Sequence, residues 1–429
     1  MSNIAATHGV EAPVTTEING WKSDMMRRRV ARRYAAERRF RFLGFFAVAL
    51  SGGFLAVLLG TMLYQGVGGF TQTEIRLTVD FPSIAAGLTP EALSGKGAED
   101  AMAALDLESL ASASATATLG EDGPSLLSDG AWLSLRTALQ DDPSLITRKA
   151  EVWVPASVDI DQAAKGADEP EADRQLAALK AKDRVQTGIS MTFLSASDST
   201  DPTVVGIWGA FKGTLLTMAI TALLAFPIGM LSAVYLEEYA PRNRWTDLIE
   251  VSINNLAAVP SIIFGLLGLA VFLNFFNMPR SAPIVGGLTL ALMTMPVIVI
   301  ASRNAIKAVP PSIRDAALAM GASPVQVVFH HVLPLAMPGV LTGAIIGMAR
   351  ALGETAPLIM IGMRAFISSP PTSFTEPATV LPVQIFLWSD EVSRGFVEKT
   401  SAAIIVLLAF LMTMNATAIY LRNHFERRW

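Results

Sequence analysis

The sequence predicts an all-α polytopic membrane protein of six transmembrane helices, with a small α+β domain inserted after the first. Three observations carry this. Hydrophobic residues make up 52% of the chain and charged residues only 16%, a composition of membrane rather than water-soluble proteins. Six apolar runs approach or exceed the roughly 20 residues a helix needs to cross a bilayer. Charge is also segregated: residues 64–205 hold 22 acidic and 10 basic side chains, net −12, and the remainder is about +8. There is no cysteine and there are only four histidines. That excludes a disulfide framework, a thiol nucleophile and a thiolate metal site, and argues against a histidine metal site.

Taken in order, residues 1–24 are polar and aperiodic and read as disordered. Residues 25–41 contain eight arginines and run directly into the 22-residue apolar run 42–63. The positive-inside rule places such an arm in the cytoplasm. The run is long for the core of a cleaved signal peptide, and no clean small-x-small site comes after it. It reads as a retained anchor. Residues 64–205 then form a separate acidic domain outside the membrane. Leu and Ala recur at helical spacing in its low-complexity stretch, 101–130. Alternation and β-branching predict strands over 148–160 and 185–194. No catalytic motif stands out there.

Five further spans are expected at 206–236, 248–276, 283–306, 336–362 and 400–421. Four carry an internal proline, at Pro227, Pro260, Pro296 and Pro357. Proline removes a ladder bond and kinks a helix, which membranes tolerate where neighbours satisfy the freed carbonyl. Kinks in four consecutive spans suit a pathway that opens and closes. Six spans put both termini in the cytoplasm, with residues 422–429 as a tail. The inner connections then hold Arg242, Arg244, Arg303, Lys307, Arg314, Arg422, Arg427 and Arg428, as the charge rule requires.

Arg350 and Glu354 fall near the centre of the 336–362 run. Charges at that depth each cost at least a few kcal/mol and need a partner, a watery cavity or a function. A spacing of four lets them pair on one helical face. Two readings are open: an ion pair buried between helices, or a substrate-pathway site in which the arginine fork meets an oxyanion such as phosphate.

Between the fourth and fifth spans lies a connecting segment, 307–338. Pro310 and Pro311 precede an expected helix with Ser312 as N-cap and Asp315 in its first turn. Ala316, Ala317 and Met320 form a small apolar face, and Gly321 ends the helix. A second short amphipathic helix, 324–332, is expected to stop at Leu333-Pro334. The pair reads either as an interfacial hairpin or as a knob that docks into a groove on another protein.

This segment resembles the EAA loop of ABC-importer permeases: Asp315-Ala316-Ala317, Gly321 and Leu333-Pro334 match Glu-Ala-Ala, Gly and Leu-Pro, with Asp replacing Glu. Residues 257–269 (AAVPSIIFGLLGL) and 349–362 (ARALGETAPLIMIG) narrow the likeness to the PstA family of phosphate-importer permeases. It covers about 206–421. Arg303-Asn304 departs from it, standing where the family would carry acidic residues.

The resemblance implies a type I ABC-importer permease core and a phosphate pathway shared with a PstC-like permease. It also implies a PstB-like ATPase dimer beneath and a PstS-like periplasmic binding protein above. Arg350, Glu354 and Thr355 would line the pathway. Asp315, Ala316, Ala317, Gly321, Leu333 and Pro334 would couple it to the ATPase. The chain has no G-x-x-x-x-G-K-[ST] sequence, so ATP and Mg would be bound by the partner, with no cofactor or metal here. It would be a multi-pass inner-membrane protein that contacts lipid and no nucleic acid, and not an enzyme. A permease for sulfate or molybdate, and a membrane sensor with a periplasmic domain, remain alternatives.

Overall fold

The computed structural model describes residues 24–85, 88–95, 97–364, 366–367 and 369–425. Of the disorder expected over 1–24, all but Asp24, which opens a helix, lies outside them, as do the last four residues of the tail. The chain divides into two compact units, Met1–Thr61 and Met62–Trp429. The arginine-rich stretch and the apolar run are one helix, α1 (Asp24–Gly69), whose last residues, from Met62, belong to the second unit. Its apolar side chains, Phe42, Phe46 and Phe54 among them, are exposed.

The second unit opens with the acidic module. β1 (Thr71–Asp80) is the centre of a three-stranded antiparallel sheet, flanked by β2 (Lys149–Pro155) and β3 (Val185–Ile189). Ile75 faces Val154 on one side and Val185 on the other. Ile75, Leu77 and Val79 are fully buried. They belong to one core with Leu110, Ala111 and Ala115 of α2 (Leu107–Leu119) and with Leu135 and Leu139 of α3 (Ala131–Asp141). The sequence reading finds the two edge strands and misses the central one, although TQTEIRLTVD alternates as a strand should. Both edges end earlier than expected. The chain turns after Pro155 into α4 (Val158–Ala164), and after Ser190 into a single helical turn. α5 (Pro170–Ala181) completes the module.

The spans come next: α6 (Trp208–Val234) with a π-turn over Tyr235–Tyr239, α7 (Arg244–Ala257), α8 (Ser261–Gly268) with a π-turn to Phe275, and α9 (Pro283–Lys307). After the connecting segment, where α10 (Pro311–Ala319) lies, come α11 (Leu333–Leu352), α12 (Ala356–Met360), α13 (Leu381–Ser389) and α14 (Gly395–Phe425). Five described helices are long and apolar enough to cross a membrane, and α7–α8 makes a sixth if counted as one span.

That pair corrects the expectation of one kinked helix over 248–276. α7 and α8 are bent by 102° at a break. Pro260 sits at the N-cap of α8 rather than inside a helix, because the residue before a proline is driven out of the α region. Pro227 and Pro296 do lie inside α6 and α9.

α9 is the central helix. Gly339, Gly343 and Gly347 of α11, spaced by four, meet Ala305, Ala301 and Thr294 of α9, and a Cβ on any of them would lie within 2.8 Å of a side chain. Small residues of this kind let membrane helices approach where no hydrophobic force pulls them together.

Candidate functional site

Arg350 and Glu354 do not sit in the middle of a continuous helix. α11 ends at Leu352, Gly353 caps it, and a new short helix, α12, begins at Ala356 with Thr355 as its N-cap. Pro357 cannot donate to the Gly353 carbonyl four residues back, and here the helix breaks before it, whereas α6 and α9 run on through Pro227 and Pro296. The N–H groups of Gly353 and Glu354 instead bond Arg350 and Ala351 carbonyls at 3.1 and 3.2 Å. The charges thus occupy a helix break.

The pair itself is loose. Arg350 Nε donates to Glu354 Oε1 at 3.5 Å, and the two side chains are 46% and 18% exposed. Among the described residues the two Nη groups of Arg350 have no hydrogen-bond partner. The residues between the two charges point the other way: Ala351 and Leu352 are buried in one core with Phe264 and Leu358. Packing therefore fixes the backbone and leaves the guanidinium to the open face.

The break in α7–α8 and the break at 353–355 belong to elements that meet in space. Gly265 of α8 packs on Pro357 of α12, and Gly268 on Thr289 and Ile361. The two sequence patches 257–269 and 349–362 are therefore one structural neighbourhood.

The second expected site, in 307–338, is a helix closed by a left-handed turn. Gly321 has φ +85°. Its N–H bonds the Leu318 carbonyl, and the Ala322 N–H bonds the Ala317 carbonyl. This is the Schellman arrangement, in which a positive φ is suited to glycine. Two expectations are corrected here. The helix starts at Pro311, with Pro310 at the N-cap, so Ser312 is not the cap and Asp315 lies past the first turn; proline's fixed φ favours it at the first helical position. Nor does the next helix stop at Leu333-Pro334.

Ser323 and Gln326 form a capping box, and one helix runs from Pro324 to Leu352 through both residues. The missing N–H and the ring of Pro334 are absorbed by a π-turn over Val327–Val332. Leu333 and Pro334 are half-buried in that helix. Asp315, Ala316 and Gly321 are exposed and Ala317 is buried. Leu318, Met320, Val325 and Phe329 expose apolar surface around the turn.

Sequence reasoning missed the ion pairs behind this segment. Arg314 of α10 grips Glu238, with Nη2 to Oε1 at 2.6 Å. It also donates to the Val309 and Ile306 carbonyls at 2.8 and 3.1 Å. One guanidinium thus ties α10 to the end of α9 and to the π-turn after α6. Arg303 meets Glu237 at 3.2 Å and Glu250 of α7 at 2.9 Å. Its carboxylates come from other elements, not from the adjacent position. The signal is Glu237-Glu238, which the sequence reading passes over, closing an apolar run ahead of Arg303, Lys307 and Arg314, which it reads only as inner-connection charge.

A further cluster lies before α6. The Asp198 carboxylate accepts from Gln384 Nε2 at 2.8 Å and Trp388 Nε1 at 3.1 Å. Burial pushes its pKa up, against those two bonds.

The family described as "Binding-protein-dependent transport system inner membrane component" matches residues 225–429, and "Domain of unknown function (DUF3333)" matches 27–174. "Phosphate transport system permease protein PstA 1" of Mycobacterium tuberculosis is 32% identical over 225 residues, 52% of this chain and 72% of that protein. This chain belongs to the PstA permease family. The PstA of Haemophilus influenzae is 29% identical over 52% of this chain and 77% of its own. "Probable ABC transporter permease protein YqgI" of Bacillus subtilis is 34% identical over 44% of this chain, but the match spans only 63% of YqgI. A solved chain of the MetNI methionine ABC transporter aligns over 52% of this PstA-family chain and 98% of its own, at 20% identity and a TM-score of 0.42. A likeness that loose carries no argument.

Proposed function

We propose that this PstA-family chain is the transmembrane permease subunit of an ATP-driven importer of inorganic phosphate, sharing its pathway with a second, PstC-like permease. The observation that carries the reading is Arg350. It is a half-exposed guanidinium at a helix break, with its Nη groups turned to the open face and one weak carboxylate neighbour. A planar fork of donors suits a phosphate oxygen pair. Glu354 orients the fork and keeps the site from holding the anion too tightly, since transport needs release as well as capture. Thr355 adds a hydroxyl beside them. Kinship to proteins named as phosphate transport permeases supports the substrate.

In this reading the N- and C-termini are cytoplasmic and the acidic module is periplasmic, facing a PstS-like binding protein. A PstB-like ATPase dimer binds ATP and Mg and docks on the turn that exposes Asp315, Ala316, Leu318 and Met320. Closure of that dimer pushes α10. Arg314 passes the push to α9 and to the end of α6, and the bent elements around Gly265 and Pro357 rock to alternate access. The test is uptake of labelled phosphate, sulfate and molybdate by a strain lacking its own permease and complemented with this chain. Phosphate uptake that sulfate does not compete supports the reading. Uptake of sulfate or molybdate without phosphate overturns the substrate.

A further inference from the structure

One buried charge cluster joins the acidic module to the helices beneath it. Lys165, just after α4, places Nζ 2.6 Å from Asp161 and 2.9 Å from Glu398 of α14. The other Asp161 oxygen accepts the Thr73 N–H of β1 at 2.8 Å. Lys399, 3% exposed, donates to the Gly69 carbonyl at 2.9 Å and lies over the Phe193 ring. The last turn of α1 is pressed onto the same place. A Cβ on Gly69 would strike Glu398 and Ala402, and one on Gly68 would strike the Glu398 carboxylate.

The chemistry makes these contacts interdependent. A lysine and an aspartate four residues apart can satisfy each other on one element. Among the described residues Lys165 is the only ion-pair partner of Glu398, since Arg394, four residues before it, turns to Glu169 instead. Lifting the module away would give up that charge-assisted bond and leave Glu398, beside Gly68, without its ion-pair partner. Further links reinforce the junction. Arg394 meets Glu169 at 2.6 Å. Gln72 Nε2 donates to the Thr203 carbonyl at 2.7 Å, and Ser128 donates to Asp201. The module is thus fastened to the head of α14, and its own last residues, which lead into α6, are tied back to β1 and to Ser128.

We propose that the module spanning 71–205 is a clasp. With Lys165 as its pin, it holds the last turn of α1 against the first turns of α14 and moves with α14 as one body. It is a fixed part of the permease rather than a tethered receiver that lifts off. The proposal does not depend on which anion is transported.

The experiment is hydrogen exchange on the full-length chain in lipid nanodiscs. Lys165→Met should speed amide exchange over 71–75 and over 397–402 together, by about tenfold or more, while 311–322 is unchanged. Lys165→Arg should stay close to the parent. Acceleration confined to the module, or none, overturns the clasp.

A second arm stands even if Lys165→Met fails to accumulate. The chain has no cysteine, so Glu169→Cys and Arg394→Cys can be joined by a short bis-methanethiosulfonate linker, which forms a mixed disulfide with each thiol by displacing methanesulfinate and is cleaved by a reductant. Joined and unjoined complexes should transport within about twofold of each other. A larger loss that is recovered on cleavage would mean the module must leave the helix head, and would overturn the proposal.

Discussion

Gly265 and Pro357 are in backbone contact: a Cβ on Gly265 would fall 2.7 Å from the Pro357 Cα and 3.0 Å from its carbonyl oxygen. The partner is backbone and cannot swing aside. Gly265→Leu is therefore expected to push α8 from α12 and to destabilise the protein by about 1–3 kcal/mol, as overpacking does. Thermal unfolding of the detergent-purified chain checks it. An unchanged midpoint would mean that the two broken elements are not packed as described.

Arg314 and Glu238 are 22% and 12% exposed. Arg314→Glu alone places two carboxylates together and also frees the Ile306 and Val309 carbonyls. Breaking a pair this buried costs about 3–5 kcal/mol. Arg314→Glu with Glu238→Arg should recover a clear part of both folded yield and uptake. Because the carbonyl bonds stay lost, recovery should be incomplete. No recovery at all in the swapped variant would count against the pair as the link between α10 and α6.

Gly321→Asp has room, since nothing lies within 4 Å of its Cβ, but it must keep φ near +85°. The strain is about 1–2 kcal/mol, too little to unfold the protein. The new charge projects into the exposed apolar turn, so the fold should persist while transport is lost. ATP hydrolysis and uptake measured on the same reconstituted complex decide it. Normal uptake at normal expression removes the turn from the coupling path.

Arg350→Ala should cut phosphate uptake by about tenfold or more, with assembled complex preserved, because the side chain is half exposed and holds nothing together. Arg350→Lys keeps charge without the fork and should fall between. Glu354→Gln should shift apparent affinity more than complex level. Uptake normalised to extracted complex separates these from a structural pair, in which complex and uptake would drop in parallel.

Asp198 gives a pH signature. Burial raises its pKa above the ordinary 3.8, so the folded state holds its proton more tightly than the unfolded chain does. Stability from this group is complete below 3.8 and is lost as pH rises through the raised folded value. Asp198→Asn still offers an acceptor to Gln384 or Trp388 and should flatten that part of the stability–pH curve. Unfolding midpoints across the acid range test it. A curve as steep as the parent's would assign the dependence elsewhere.

The sequence by itself settled the features that periodicity and local chemistry dictate. Apolar runs longer than a bilayer is thick can only be helices, because no water is there to satisfy backbone groups. Gly321 marked a left-handed turn because only glycine adopts one without strain. Alternation marked β2 and β3. Two neighbouring breaks were visible as Pro260 and Pro357 but were read as kinks, since a proline inside a long apolar run does not say whether the helix bends or ends.

Tertiary structure decided the rest, because it turns on partners far apart in the chain. Glu237, Glu238 and Glu250 answer Arg303 and Arg314 across 53–76 positions, and Lys165 finds Glu398 across 233. Composition can show that such charges exist, but only the packed helices show which of them are close enough, and dry enough, to hold one another.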